Sequence, residues 1–114
     1  MQQAEALLEK AVAIDPQLGE AYLQLGILYS AWGDFEQAIR AYKQAIEVSP
    51  HLSEAHYRLG LAYKRIGEES KAQQEFQAHE QIEKTEAAAI ERQRRELQQF
   101  LIILKDEPAA APPR

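Results

Sequence analysis

The chain repeats itself every 34 residues, and this period constrains its fold more than any other feature. Shifted by 34, Ala4 falls on Ala38 and then Ala72, Leu8 on Tyr42 and then Phe76, and Pro16 on Pro50. Glu20 and Ala21 fall on Glu54 and Ala55, Leu25 and Gly26 on Leu59 and Gly60, Tyr29 on Tyr63, and Gly33 on Gly67. Coincidences of glycine, proline and aromatic residues in one register mark an array of like units. Each unit buries its apolar face only by stacking on the next.

Each unit reads as two helices. The first spans roughly 19–32, with a copy at 53–66; the second spans 35–48, with copies at 2–14 and 69–83. Gly33 and Gly67 suit the left-handed position that closes a helix, and Asp34 is a good N-cap for the helix that follows. Pro16 and Pro50 stop the second helices, because proline has no N–H to continue the ladder. Gly26 lies inside a helix, where glycine costs about 1 kcal/mol against alanine. The return expected is close approach of a neighbouring helix, with Ala38, Ala45 and Ala72 serving the same purpose from the other side.

The order Tyr22, Leu25, Gly26, Tyr29, Ala38, Tyr42, Ala45, Pro50 resembles the tetratricopeptide repeat (TPR), and Leu59, Gly60, Tyr63, Ala72, Phe76 is similar in the next unit. There the family's first aromatic is replaced by His56, its late alanine by His79 and its closing proline by Lys84. The resemblance covers residues 1–86. It implies an all-α fold, a right-handed solenoid of helix-turn-helix repeats in which the first helix of each pair lines a concave groove. The expected organisation is one domain over 1–105: a half repeat at 1–16, repeats at 19–52 and 53–86, and a capping helix at 86–105. The tail 106–114, rich in proline and alanine, is expected to be disordered.

The resemblance also implies a non-catalytic module that binds a protein or peptide in the groove. The groove residues carried over are Leu23, Gln24 and Ile27 from one repeat, and Tyr57, Arg58, Leu61, Lys64 and Arg65 from the next. Leu23, Ile27, Tyr57 and Leu61 would make an apolar strip, and Arg58, Lys64 and Arg65 a positive end. For Leu23 and Leu61 a second reading stands, in which they pack between adjacent first helices. Some family members clamp the C-terminal carboxylate of heat-shock chaperones with two lysines, two asparagines and an arginine. The matching positions hold Leu23, Ile27, Gln24, Glu54 and Arg58; Arg58 alone fits, and Glu54 would repel a carboxylate.

Other chemistries find little support. The formal net charge of −5 argues against nucleic acid and against an anionic membrane surface. With no cysteine there is no disulfide framework and no thiolate metal site. His51, Glu54 and His56 stand close together, but the histidines are five apart and His56 occupies a core position of the repeat, so no metal is expected. No nucleophile motif or phosphate loop occurs, and Glu80, Glu83 and Glu86 read as a solvated helix face; neither a catalytic residue nor a cofactor is expected. Trp32, before the Gly33 turn, reads as a packing residue. The N-terminus carries charges where a signal peptide would be apolar, and no apolar run spans a bilayer. A soluble, cytoplasmic chain is the default expectation.

The ends raise a last question. At about 100° per residue, Ile90, Leu97, Leu101 and Leu104 form one stripe bordered by Phe100, placed to cap helix 69–83. Ile102 and Ile103 point more than about 100° away from that stripe. At the other end the helix at 2–14 lacks a partner, which leaves Leu7 and Leu8 candidates for exposure. Self-association through Leu7, Leu8, Phe100, Ile102 and Ile103, as a closed two-fold homodimer or by a swap of terminal helices, is therefore the alternative function. Two plainer readings compete: the chain is part of a longer array, or the isoleucines fold back on their own chain.

Overall fold

A computed structural model describes residues 2–15 and 17–106. Five helices follow one another: α1 (Gln2–Ile14), α2 (Gly19–Ala31), α3 (Phe35–Val48), α4 (Ser53–Arg65) and α5 (Glu69–Lys105). There is no strand among the described residues. The starts of all five, and the ends of the first four, fall within a residue or so of those read from the repeat. Pro16 and residues 107–114 lie outside the described residues; of the tail expected at 106–114, only Asp106 is described.

The turns follow from a few atoms. Gly33 has φ 79° and Gly67 φ 84°, a conformation that costs glycine little and other residues more. Each closes its helix with the same pair of bonds. Asp34 N–H donates to the Tyr29 carbonyl at 2.9 Å and Gly33 N–H to Ser30 at 3.0 Å; Glu68 and Gly67 repeat this on Tyr63 and Lys64. The Asp34 carboxylate then accepts from Gln37 N–H at 3.3 Å and opens α3. One residue thus ends α2 and begins α3.

The chain divides into two units, Met1–Ile82 and Glu83–Arg114. In the first, α2 packs chiefly on α3, α3 on α4 and α1 on α2. The core is built from Leu23, Leu25, Tyr29, Tyr42, Leu59 and Tyr63, with the alanines Ala38, Ala45, Ala55 and Ala72 buried among them. Gly26 faces the Tyr42 ring and Gly60 the Phe76 ring, each so closely that a β-carbon would require the ring to shift.

In the second unit the sequence expectation fails. A separate capping helix was expected over 86–105; instead α5 runs without a turn from Glu69 to Lys105. The physical reason lies in residues 83–93, which contain no glycine or proline and are rich in Ala and Glu, both good helix formers. The residues expected to form the capping stripe are exposed: Ile90 57%, Leu97 58%, Leu101 54% and Leu104 48%.

Candidate functional site

A concavity of about 280 Å³ opens in the first unit, lined by Ser30 from α2, Phe35 and Tyr42 from α3, and Arg58, Leu61, Ala62, Lys64 and Arg65 from α4. Its floor is the end of the core. Tyr42 lies with its ring on Gly26 and its hydroxyl 3.0 Å from Ser30 Oγ. Burial pushes the Tyr42 phenol up, against the lowering effects of the Ser30 hydrogen bond and the nearby Arg58 charge. The hydroxyl therefore stays protonated across the physiological range.

The rim is cationic. Arg58 Nε donates to Glu54 Oε2 at 2.8 Å, one turn back along α4, and its side chain remains 38% exposed. The Arg65 guanidinium stands over the Phe35 ring, 5.2 Å from its centre, a stacking that fixes the head group while leaving its N–H edges available. Lys64 completes the rim. No aspartate or glutamate lines the concavity among the described residues. Its volume falls just below the range of about 300–1,000 Å³ common for pockets that enclose a small molecule.

Four residues expected in the groove come together here: Arg58, Leu61, Lys64 and Arg65. The other four do not. Leu23 is fully buried, so it packs between helices and does not line a surface. Ile27 is half-buried against the core. Gln24 is exposed and donates to Glu20 at 3.3 Å. Tyr57 is 44% exposed but leans on Phe76 and His79, with ring centres 5.8 and 5.2 Å away. Phe35, Tyr42 and Ala62 line the concavity as well, outside the residues expected there. Phe35 follows the N-cap directly, and Tyr42 is a core residue whose hydroxyl end alone reaches the concavity.

His56 does not sit as an aromatic core residue. Nδ1 meets Glu75 Oε1 at 2.8 Å and Nε2 meets the Pro50 carbonyl at 3.1 Å, tying α4 to α5 and to the preceding turn. His79 Nδ1 meets the Ser53 carbonyl at 3.1 Å. Trp32 is 38% exposed and packs edge-on against Tyr29 at 6.0 Å. Of the residues named for self-association, Leu7, Phe100, Ile102 and Ile103 are exposed, whereas Leu8 is half-buried against the core. Leu8 packs within the fold because α1 lies on α2. Among the described residues no helix is long and apolar enough to cross a membrane, and no three acidic, cysteine or histidine side chains gather as a metal site.

Comparison with known proteins places this arrangement. Family profiles described as tetratricopeptide repeat match residues 7–40 and 53–86, and one described as TPR repeat matches residues 31–67. No curated protein matches the chain. Among solved structures, a crystal structure of MamA is 31% identical, with a TM-score of 0.74 over 76% of this chain and 51% of its own. A second crystal structure of MamA protein is 31% identical, with a TM-score of 0.70 over 76% of this chain and 48% of its own. MamA from residue 41 to its end, from Desulfovibrio magneticus RS-1, is 27% identical, with a TM-score of 0.70 over 74% and 48%. The chain thus spans about half the length of these solved proteins. TPR domains generally mediate protein–protein interactions and are typically non-catalytic scaffolds. With three repeat profiles running from residue 7 to residue 86 on a matching all-helical fold, the chain belongs to the tetratricopeptide-repeat family.

Proposed function

We propose that this TPR domain binds a protein segment that places an apolar side chain and an acidic group in the concavity between α2, α3 and α4. The observation that carries this reading is the contrast between floor and rim. Leu61, Ala62 and the Phe35 ring supply an apolar seat, and Arg58, Lys64 and Arg65 surround it without an acidic residue in the lining. A carboxylate beside such a seat gains charge-assisted hydrogen bonds, while the apolar anchor supplies the burial. Fluorescence polarisation tests it with synthetic peptides pairing Leu or Phe with Asp or Glu, against the same peptides carrying Lys. Arg58→Ala and Lys64→Ala should each weaken the acidic peptides roughly tenfold, as expected for losing a hydrogen bond to a charged group. Equal binding of acidic and lysine peptides would overturn the proposal.

A second reading, self-assembly, is favoured by a separate observation: the exposed apolar residues between Ile90 and Leu104, Phe100, Ile102 and Ile103 among them. Contiguous exposed apolar surface of this kind usually marks an interface. Light scattering on the purified chain at tens of micromolar separates a monomer from an assembly.

A further inference from the structure

We infer that the second half of α5 pairs with the same segment of a second copy, antiparallel, through a seam made by Ala87, Ile90, Arg94, Leu97, Leu101 and Leu104. The inference rests on the self-assembly reading and adds the surface and its orientation. These six positions recur at intervals of three and four residues, the spacing of a two-helix seam. The four large apolar residues among them are each about half exposed or more.

The stripe is complementary to its own reverse. Laid antiparallel, Ala87 faces the second copy's Leu104, Ile90 faces the second copy's Leu101, and Arg94 faces the second copy's Leu97; the same three layers then recur from the other side. Small meets large at the ends. The run Ala87, Ala88, Ala89 lies alongside the bulky cluster Phe100 to Leu104 of the other chain, where two bulky clusters side by side would hold the helices apart. Ile102 and Ile103 flank this seam on the outer side. Exposure alone does not set them apart, since they are 57% and 63% exposed, much like the seam residues.

Charge decides the orientation. In a parallel pair in register, Arg94 would meet Arg94 of the second copy in the seam, and Glu86 would face Glu91 across its edge; both contacts repel. Reversal parts the glutamates and shifts the two Arg94 stems from one shared layer to adjacent layers, about 4.5 Å apart along the axis. Arg94 already reaches Glu91 of its own chain at 3.3 Å, so its stem can lie on the second copy's Leu97 while its head stays at the wet edge. Reversal brings one further like pair near, Lys105 and the second copy's Lys84, but that pair lies beyond the last layer on flexible side chains.

The chain contains no cysteine, so single introduced cysteines carry spin labels cleanly. Gln99→Cys and Thr85→Cys occupy the same outer position of the helix, two heptads apart. At a rise of 1.5 Å per residue, the antiparallel pair separates the two labels along the axis by about 10 Å at position 99 and about 32 Å at position 85. The expected result is a clearly longer distance at 85 by pulsed electron spin resonance. Equal distances at both positions would overturn the orientation while leaving self-assembly standing. A monomer at tens of micromolar would overturn both. Leu97→Glu with Leu101→Glu should dissociate the pair with helicity intact, and Ile102→Glu with Ile103→Glu should leave it paired. A dimer that survives the first change, or is lost with the second, would overturn the seam.

Discussion

Tyr29 shows how one side chain ties two helices together. Its hydroxyl donates to Glu5 Oε2 at 2.7 Å, joining α2 to α1. That hydrogen bond, then burial, then the charges of Glu5 and its acidic neighbours push the phenol from 10.0 up to about 12. The sign follows from linkage. The folded chain keeps this proton between pH 10 and about 12 while the unfolded chain has released it, so the stabilisation is complete below pH 10 and is lost as pH rises towards 12. Phenolate absorbance should therefore show one tyrosine titrating near 12, and Glu5→Gln should bring it back towards 10. An unchanged titration in that variant would mean that burial alone holds the proton. Single positions also show where the repeat register stops being informative. Leu23 and Tyr57 are equivalent by the 34-residue shift, yet one is fully buried and the other 44% exposed. The first helix of the following repeat, α4, reaches α2, and Tyr57 has no first helix after its own. Register assigns a face; a neighbour decides whether that face is covered.

At the level of elements, close approach explains why glycine occurs in mid-helix. A β-carbon at Gly26 would stand 2.9 Å from Cζ of Tyr42 and nearer still to other atoms of that ring. Tyr42 is fully buried and its hydroxyl is engaged by Ser30, so the ring cannot swing away. A β-carbon at Gly60 would meet Phe76 at a similar 2.8 Å to Cδ1, but Phe76 is only half-buried. Alanine gains about 1 kcal/mol in helix propensity at either site, and overpacking a tight core costs about 1–3 kcal/mol. Gly26→Ala should therefore destabilise the fold by about 1–2 kcal/mol in urea unfolding, and Gly60→Ala should be close to neutral; the reverse order would mean that α3 shifts more easily than α5. The first four helices were legible because glycine, proline and Asp34 mark their ends. The second half of α5 was not, because the only argument for a break near residue 84 was the repeat register, and the residues there carry no stop signal. The groove was legible in part for a related reason. The α4 residues project from one uncovered helix face, whereas Phe35 and the Tyr42 hydroxyl join them only through the way α3 packs beneath.

For the whole molecule, the charge distribution matters more than the total. A chain of net charge −5 gathers Arg58, Lys64 and Arg65 around one concavity. Repulsion by the rest of the surface keeps acidic partners off non-specific sites, while the local cations draw them in, an effect that weakens with salt. If two copies pair through α5, each particle carries two such concavities, and the second attachment to a crowded partner becomes intramolecular. On a surface dense in the acidic peptide, the wild-type chain should then release at least about tenfold more slowly than Leu97→Glu with Leu101→Glu. In solution, with one peptide per site, the two proteins should bind alike, because the seam and the concavity share no residue. Surface plasmon resonance at high and low peptide density checks this. Equal release at high density would show that the two concavities do not act together, and a loss of affinity in solution would show that the seam substitutions reach the groove.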